Sequence, residues 1–207
     1  MNRSDFIYQT LELMYPDAHC QLDYQTPFQL AVAVVLSAQT TDVAVNRVTK
    51  KLFARYPDCQ ALAEASLSDL EECLHELGLY HNKARNISQL AKEVLRNYNG
   101  VLPDTFDELT KLPGVGVKCA NVIMAECYHV PSFAVDTHVN RIARRLQIAE
   151  QSDSITTVEK KLKGYFPKER WIRMHHLLIF FGRNKCYARK PDCNNCPFAE
   201  FCYEKNH

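Results

Sequence analysis

The pattern of apolar and polar positions along the chain predicts helices from one end to the other. In residues 4–15 the apolar positions recur at the spacing of one helix face, and Pro16 follows that segment. Residues 26–39 are apolar on nearly every face, with Thr26 suited to cap a helix and Pro27 suited to begin it. A helix that is apolar all round belongs in a core, so we expect this one to be central and buried.

Further predicted helices follow, separated by short polar or glycine-containing segments. Asp42 is expected to cap the next helix, which runs to Tyr56, and a helix over 66–78 should close on Gly78. The remaining predicted helices span 83–98, 107–111, 117–129, 137–146, 156–165 and 167–181. The sequence shows no strand of alternating polarity and no internal repeat, so the predicted fold class is all-α.

Length and composition fit a globular protein of one large or two small domains. The chain has 207 residues, of which 46% are hydrophobic and 24% charged. It contains no apolar run of about 18 residues, the length that spans a membrane, and its start lacks the apolar stretch of a signal peptide. We therefore expect a protein with no membrane association that is cytoplasmic, and nucleoid-associated if the source is bacterial.

The charge is unevenly distributed along the chain. Residues 1–130 carry 11 Lys or Arg and 16 Asp or Glu, a net charge of −5, whereas residues 131–207 carry 14 and 8, a net charge of +6. A basic half on a nearly neutral protein indicates a surface for a polyanion such as DNA, with an ordinary solvated surface as the alternative. The change of sign and Pro131 predict a domain boundary near residue 130.

Residues 112–116, LPGVG, predict a tight turn between two helices, a helix–hairpin–helix. Gly114 and Gly116 can adopt backbone angles that other residues resist, and their missing side chains, on either side of Val115, leave main-chain N–H groups accessible. These donors lie at the start of a helix, where free N–H groups and the helix dipole favour anions. A DNA phosphate suits such a site, although a glycine pair on its own often marks only a turn.

Lys118 and Asp136 are the candidate catalytic residues. A surface lysine and a helix-capping aspartate are the plain interpretations, with Thr137 also predicted to cap the helix that follows. A lysine amine, however, can attack the anomeric carbon of a deoxyribose, displace the base and leave a Schiff base, provided that desolvation or nearby cations favour its neutral form. An opposing carboxylate could accept a proton or stabilise positive charge that develops on the sugar.

Two exposed turns provide candidates for a DNA wedge. Gln39 ends the buried helix, and Leu79 follows Gly78. An enzyme that acts on a duplex base must extrude it, and an apolar side chain with a hydrogen-bonding amide suits the gap that remains. The residues alone favour a core position for Leu79 and a simple helix end for Gln39, with the wedge as the alternative.

Four cysteines lie within 17 residues near the C-terminus and predict a metal site. They are Cys186, Cys193, Cys196 and Cys202, with the spacing C-x6-C-x2-C-x5-C. Four thiolates on a short loop can enclose zinc or an iron–sulfur cluster, and the uneven spacing favours the cluster. His138, Arg189 and Lys190 are predicted to contact DNA. Arg141, Arg144 and Arg145 are predicted to be phosphate contacts or else ordinary helix-surface charges.

Four segments together resemble the endonuclease III family of DNA glycosylases. They are LSAQTTD, GLYHNKARNI, LPGVGVKCANV with FAVDTHVNR, and the four-cysteine loop preceded by HHLLIFFGR. The resemblance implies a bilobal all-α fold with DNA across the cleft between the lobes. A six-helix barrel would cover residues 21–131, with the helix–hairpin–helix at about 107–129. Residues 1–20 and 132–207 would form a helical domain that holds one [4Fe-4S] cluster.

The resemblance also implies residue roles and an activity. Lys118 would be the nucleophile and Asp136 its activating aspartate, Gln39 and Leu79 would insert into the duplex, and the four cysteines would bind the cluster. The implied enzyme is a monomer that excises oxidised pyrimidines from duplex DNA and cleaves the strand 3′ to the abasic site by β-elimination. Its partner would be double-stranded DNA with a damaged pyrimidine or an abasic site.

The sequence departs from the family beside the nucleophile. Val117 and Cys119 flank Lys118 where the family often has Arg and Thr, so a cation near the nucleophile is missing. Lys118 itself separates the chain from the related monofunctional adenine glycosylases, which usually carry Ser at that position. A monofunctional glycosylase and a non-catalytic module that binds damaged DNA are the alternative functions.

Overall fold

The computed structural model describes residues 2–203, and within that range the chain is helical with no strand, which confirms the all-α prediction. None of the described helices is long and apolar enough to cross a membrane. The α-helices are α1 (Arg3–Met14), α2 (Pro27–Leu36), α3 (Asp42–Arg55), α4 (Cys59–Glu64), α5 (Leu67–Leu74), α6 (Tyr80–Tyr98), α7 (Phe106–Leu109), α8 (Val117–Tyr128), α9 (Thr137–Arg145), α10 (Ile155–Tyr165) and α11 (Trp171–Asn184).

The helices form two compact units. One, the central unit, consists of residues 21–130 and contains α2 to α8. The other, the terminal unit, combines residues 2–20 with residues 131–203 and contains α1 and α9 to α11. Met1 and residues 204–207, which the predicted cluster domain includes, lie outside the described residues.

The central unit is built around α2. Every residue from Phe28 to Leu36 is buried, and the helix packs against α3, α6 and α8. Thr26 accepts a hydrogen bond from the Gln29 N–H at 3.2 Å, and Pro27 occupies the first helical position, as expected from the sequence. A helix with no polar face is stable only when surrounded, so α2 supplies the core on which the other helices of this unit pack.

The terminal unit joins the N-terminal helix to the C-terminal part of the chain. Ile7 and Leu11 of α1 are fully buried in a core that also contains Phe133, Phe181 and Phe198. The ring centroids of Phe181 and Phe198 lie 5.3 Å apart in an edge-to-face arrangement, which aromatic pairs prefer. α1 therefore contributes its apolar face to a core that is distant in sequence.

Several predicted helix boundaries need correction. Thr41 caps α3 by accepting a hydrogen bond from the Ala44 N–H at 3.3 Å, so Asp42 is the first helical residue and the predicted Asp42 cap is wrong. The helix predicted to close on Gly78 ends at Leu74, because the chain then turns toward the start of α6. Adjacent residues of similar capping ability cannot be separated by pattern alone, since the extended backbone of one of them decides the cap.

One helix was absent from the prediction, and one predicted helix consists of two elements. α4 was not predicted, although Asp58 caps it by accepting a hydrogen bond from the Ala61 N–H at 2.8 Å, because six residues are too few to show a helical period. The helix predicted over 167–181 is a 3₁₀ turn, Lys168–Arg170, followed by α11. α11 continues to Asn184 and so reaches almost to the first clustered cysteine.

Candidate active site and nucleic-acid interface

The hairpin at residues 112–116 connects α7 to α8, and its two glycines serve different purposes. Gly114 has φ +78°, and a Cβ there would lie 2.9 Å from Val35 Cγ1 and 3.2 Å from Asn86 Cβ. Both its backbone angle and its packing against α2 and α6 therefore require glycine. Leu112 and Val115 are buried and fix the hairpin to the core of the central unit. Val115 therefore offers no side chain to a ligand, and its main-chain N–H already donates to the Leu112 carbonyl at 3.0 Å.

At position 116, neither the backbone angle nor the packing requires glycine. Its φ of −86° and ψ of 178° are open to any residue, and no atom lies within 4 Å of a Cβ placed there. It is the N-cap of α8 and provides no side-chain hydrogen bond, so the first turn of this helix has uncapped main-chain donors on an exposed surface. Uncapped donors at a helix N-terminus can bind anions, and the phosphate site at this hairpin stays a prediction.

Lys118 is the second residue of α8 and its side chain is exposed. Within residues 21–130 it has no hydrogen bond and no ion pair, so its amine is available to a ligand held at the hairpin. The neighbouring Cys119 thiol has a raised pKa because burial outweighs the opposing effects of the Gly116 N–H and the Lys118 charge. Cys119 is thus a protonated packing residue beside the candidate nucleophile.

Asp136 belongs to the terminal unit and caps α9. Its Oδ1 accepts a hydrogen bond from the Val139 N–H at 2.7 Å, so the prediction that Thr137 caps this helix is wrong and Thr137 is the first helical residue. The other oxygen lies 3.2 Å from His138 Nδ1, and the Asp136 side chain is 15% exposed. Capping and a charged functional role are compatible, because each uses a different oxygen.

The carboxyl of Asp136 is held in its ionised form. Burial raises its pKa, but the hydrogen bonds from His138 and the Val139 N–H, with the nearby His175, outweigh burial and lower the pKa to about 2. A carboxylate with so low a pKa is a weak base at neutral pH. Its strongest chemical contribution is therefore its negative charge.

Gly182 of α11 allows α9 to approach closely. A Cβ at this glycine would lie 3.1 Å from His138 Cβ and 3.0 Å from Arg141 Nη2. Arg141 Nη2 donates hydrogen bonds to the carbonyls of Gly182 and Cys186, each at 3.0 Å. The predicted DNA contact of Arg141 stays a prediction, but its guanidinium already joins α9 to the start of the cysteine loop.

The predicted wedge residues occupy two turns of the central unit. Gln39 lies three residues beyond the end of α2 and is exposed, with φ 54°. Leu79 immediately precedes α6, has φ 60° and is 59% exposed, so it is no core residue. Both side chains are available at the surface, as insertion into a duplex would require.

The cysteine loop carries the exposed basic pair Arg189 and Lys190. A third cation, Lys185, is instead occupied within the loop, where it donates to Asp192 Oδ2 at 2.9 Å and to the Asn194 carbonyl at 3.1 Å. Arg145, which is 6% exposed, donates to the Cys186 thiol at 3.3 Å. The sequence predicts Arg145 to be a phosphate contact or a helix-surface charge, because its partners lie some 40 residues further along the chain.

The four clustered cysteines are free thiols of intermediate exposure. Within residues 2–203 no three His, Cys, Asp or Glu side chains are grouped so as to hold one metal ion. The thiols are nevertheless close enough to interact: burial raises the pKa of Cys196, and Cys202 and Cys193 raise it further. Cys202 likewise raises the pKa of Cys186, where burial is the main cause and Arg145 opposes it. Their sulfur donor chemistry fits a thiolate-bound cluster.

Comparison with known proteins first defines the class. Residues 32–168 match a family model that is described as "HhH-GPD superfamily base excision DNA repair protein". This range includes the hairpin, both wedge residues, Lys118 and Asp136. The helix–hairpin–helix and the all-helical units are those of a DNA repair glycosylase.

Individual relatives define the family more narrowly. Endonuclease III of Bacillus subtilis (strain 168) is 46% identical over 204 residues, which cover 99% of this chain and 93% of the relative. Endonuclease III of Escherichia coli (strain K12) is 38% identical over 190 residues, 92% of this chain and 90% of the relative. A solved structure of a trapped endonuclease III–DNA covalent intermediate, an estranged-adenine complex, matches with TM-score 0.94 and 45% identity, over 100% of this chain and 98% of its own. The chain belongs to the endonuclease III family of base excision repair DNA glycosylases, which are DNA-binding enzymes.

Proposed function

We propose that this glycosylase is bifunctional: it removes oxidised pyrimidines from duplex DNA and then cleaves the strand as an abasic-site lyase. The observation that supports this most directly is the placement of Lys118, exposed and unpaired within the central unit, two residues beyond the uncapped N-terminus of α8. A phosphate bound at that N-terminus would place the adjoining sugar beside the amine. The match to a trapped endonuclease III–DNA covalent intermediate supports a covalent step.

The chemistry follows from the groups in place. The neutral Lys118 amine forms a bond to the anomeric carbon as the glycosidic bond breaks, and the released base takes the electron pair and a proton. The ring oxygen takes up a proton from solvent as the sugar ring opens to the Schiff base, whose positive nitrogen favours loss of a C2′ proton to solvent and elimination of the 3′ phosphate. Water then releases the lysine and the cleaved sugar.

Asp136 is proposed to act through its charge. Because its pKa is about 2, the carboxylate is ionised at neutral pH and is a poor acceptor for the proton of an ammonium group. A fixed negative charge instead stabilises the positive charge that develops on the sugar as the base departs. His138 and the main chain of α9 hold that charge in position.

The remaining sites are proposed to bind DNA and the cluster. Gln39 and Leu79 would enter the space left by the extruded base, and the hairpin amides, His138, Arg189 and Lys190 would hold phosphates. Cys186, Cys193, Cys196 and Cys202 would bind one [4Fe-4S] cluster, which fixes the fold of the basic loop when bound. Purified protein should show broad absorbance at about 400 nm and contain iron and sulfide; colourless, zinc-containing protein would exclude the cluster.

Borohydride trapping tests the proposal directly. Wild-type protein incubated with thymine-glycol duplex and borohydride should form a covalent protein–DNA adduct, and Lys118→Gln should form none. Lys111→Gln is the matched control, since Lys111 is an exposed lysine just before the same hairpin. An adduct that survives Lys118→Gln would remove Lys118 as the nucleophile. Base release without strand cleavage until alkali is added would establish a monofunctional glycosylase, and binding without turnover would establish a non-catalytic module.

A further inference from the structure

Gln39 and Leu79 share a backbone conformation that needs support from their neighbours. Their φ angles of 54° and 60° lie in the left-handed region, which is costly for residues other than glycine. Leu79 also precedes α6 without any side-chain capping bond. Surface turns of this kind hold their side chains in fixed directions only when packing or hydrogen bonds over-determine them.

Lys83 contacts both turns. Its main-chain N–H donates to the Leu79 carbonyl at 3.1 Å, and the Asn82 N–H donates to the same oxygen at 3.0 Å. Its ammonium group donates a hydrogen bond to Thr40 Oγ1, in the turn that carries Gln39. One residue therefore links the segment before α6 to the turn after α2, over a sequence separation of 43 residues.

The position of Lys83 is unfavourable for an ordinary lysine. The residue is 4% exposed, and burial lowers the pKa of its ammonium group. It lies in the first turn of α6, where the helix dipole disfavours a cation, and it has no carboxylate partner within residues 21–130. Lys92, further along the same helix, is exposed in the usual way. A buried cation without a carboxylate partner contributes little to the stability of the fold. The hydrogen bond from Lys83 to Thr40 therefore indicates a role other than stabilising the fold.

We propose that Lys83 is a positioning residue for base extrusion: it joins the Gln39 turn to the Leu79 turn so that both side chains enter the duplex together. The proposal rests on the proposed function, because it assumes that these two residues form the wedge. Lys83 touches neither the base nor the sugar in this scheme. It acts through Thr40 Oγ1 on one side and through the Leu79 carbonyl on the other.

Extrusion can be measured without chemistry by using the Lys118→Gln chain. A 2-aminopurine beside a thymine glycol in duplex DNA becomes fluorescent when the lesion leaves the stack, and stopped-flow mixing gives the rate. Adding Lys83→Met or Thr40→Val should slow the fluorescence rise by about tenfold, the effect of one lost charge-assisted hydrogen bond. Combining them should slow it no further than Thr40→Val alone, since both remove the bond from Lys83 to Thr40 and only Thr40→Val also removes the bond from Thr40 Oγ1 to the Ala38 carbonyl at 3.2 Å. Lys92→Met is the matched control for the first substitution, and Thr40→Ser keeps the acceptor oxygen and should restore the rate.

A second substrate separates positioning from general damage to the fold. A thymine glycol opposite guanine is mispaired and needs less help to leave the duplex, so the same variants should extrude it with less than about threefold loss. Unchanged extrusion in Lys83→Met, additive losses in the double variant, or equal losses on both duplexes would overturn the proposal. If Lys83→Met fails to fold by circular dichroism, Thr40→Val, which alters no charge, decides alone. Failure of the wild-type chain to form the borohydride adduct would refute the proposed lyase, whereas the extrusion comparison would still decide the role of Lys83.

Discussion

The two hairpin glycines allow folding and DNA binding to be separated by single substitutions. Gly114→Ala introduces a side chain at φ +78° and directs its Cβ to within 2.9 Å of Val35 Cγ1. Gly116→Ser introduces one at an unstrained N-cap with no atom within 4 Å of the new Cβ. Only Val115 separates the two glycines, yet Gly114→Ala should lower stability and Gly116→Ser should not.

The cost of Gly114→Ala has two parts. The left-handed backbone angle costs about 1–2 kcal/mol for an alanine, and overpacking against a buried side chain costs about 1–3 kcal/mol. Lower entropy of the unfolded chain returns about 0.4–1 kcal/mol. We therefore expect the free energy of unfolding to fall by about 2–4 kcal/mol, and Tm by roughly 5–15 °C for a chain of this size.

Gly116→Ser should stabilise the helix and weaken DNA binding. A serine at the N-cap accepts a hydrogen bond from the first turn of α8, so stability should stay the same or rise by about 0.5 kcal/mol. The same hydroxyl occupies the donors that a phosphate would use. Losing one or two charge-assisted hydrogen bonds should raise Kd for an abasic-analogue duplex by about tenfold.

Urea denaturation and fluorescence anisotropy at several salt concentrations measure the two quantities. Gly114→Ala should lower stability, and Gly116→Ser should lower affinity without lowering stability. A Gly116→Ser chain that binds DNA as tightly as wild type would show that the α8 N-terminus holds no phosphate. A Gly114→Ala chain as stable as wild type would refute the account of the hairpin packing.

Three further predictions concern the terminal unit. Folding lowers the pKa of Asp136 to about 2, so the ionised carboxylate stabilises the fold above the unfolded pKa of about 3.9, and this stabilisation is lost as the pH falls below that value. Asp136→Asn should therefore lower the free energy of unfolding by about 2 kcal/mol at pH 7 and by almost nothing near pH 2. Urea titrations at a series of pH values measure this difference. Replacing Arg189 and Lys190 together with Ala should reduce the slope of log K against log salt by about two, and an unchanged slope would exclude both as phosphate contacts. Gly182→Ala should displace His138, the histidine beside Asp136, and so lower kcat by about tenfold. Gly164→Ala is the control: no atom lies within 4 Å of the new Cβ, so kcat should be unchanged.

Much of the helical structure could be predicted because its signals are local. The Thr26 cap, the proline that follows it and the all-apolar run of α2 are readable from one short segment. Capping residues were assigned less well where two candidates adjoin: Thr41 rather than Asp42 caps α3, and Asp136 rather than Thr137 caps α9. Either residue can make the bond, and the backbone angle that selects one of them is set by packing outside the segment.

Side-chain environments were harder to predict because they depend on distant parts of the chain. Leu79 is an apolar residue of the kind expected in a core, yet it is 59% exposed. Lys83 is a charged residue of the kind expected at the surface, yet it is 4% exposed. Arg145 follows the pattern of an exposed helix end, yet its carbonyl partner at Tyr187 is 42 residues away. No periodicity within one helix contains this information, since it arises only when helices from separate segments pack together.

Three locally unfavourable features fall on the segments proposed to meet DNA. An uncapped helix start at Gly116, an exposed apolar residue at Leu79 and a left-handed glutamine at Gln39 are each locally unfavourable. Natural sequences depart from local rules mainly where function requires it, and the surrounding structure must then offset the cost. The buried bond from Lys83 to Thr40 is such a compensation, because it constrains two strained turns at once. If removing it left base extrusion unchanged, the strain at Gln39 and Leu79 would need an explanation unrelated to DNA.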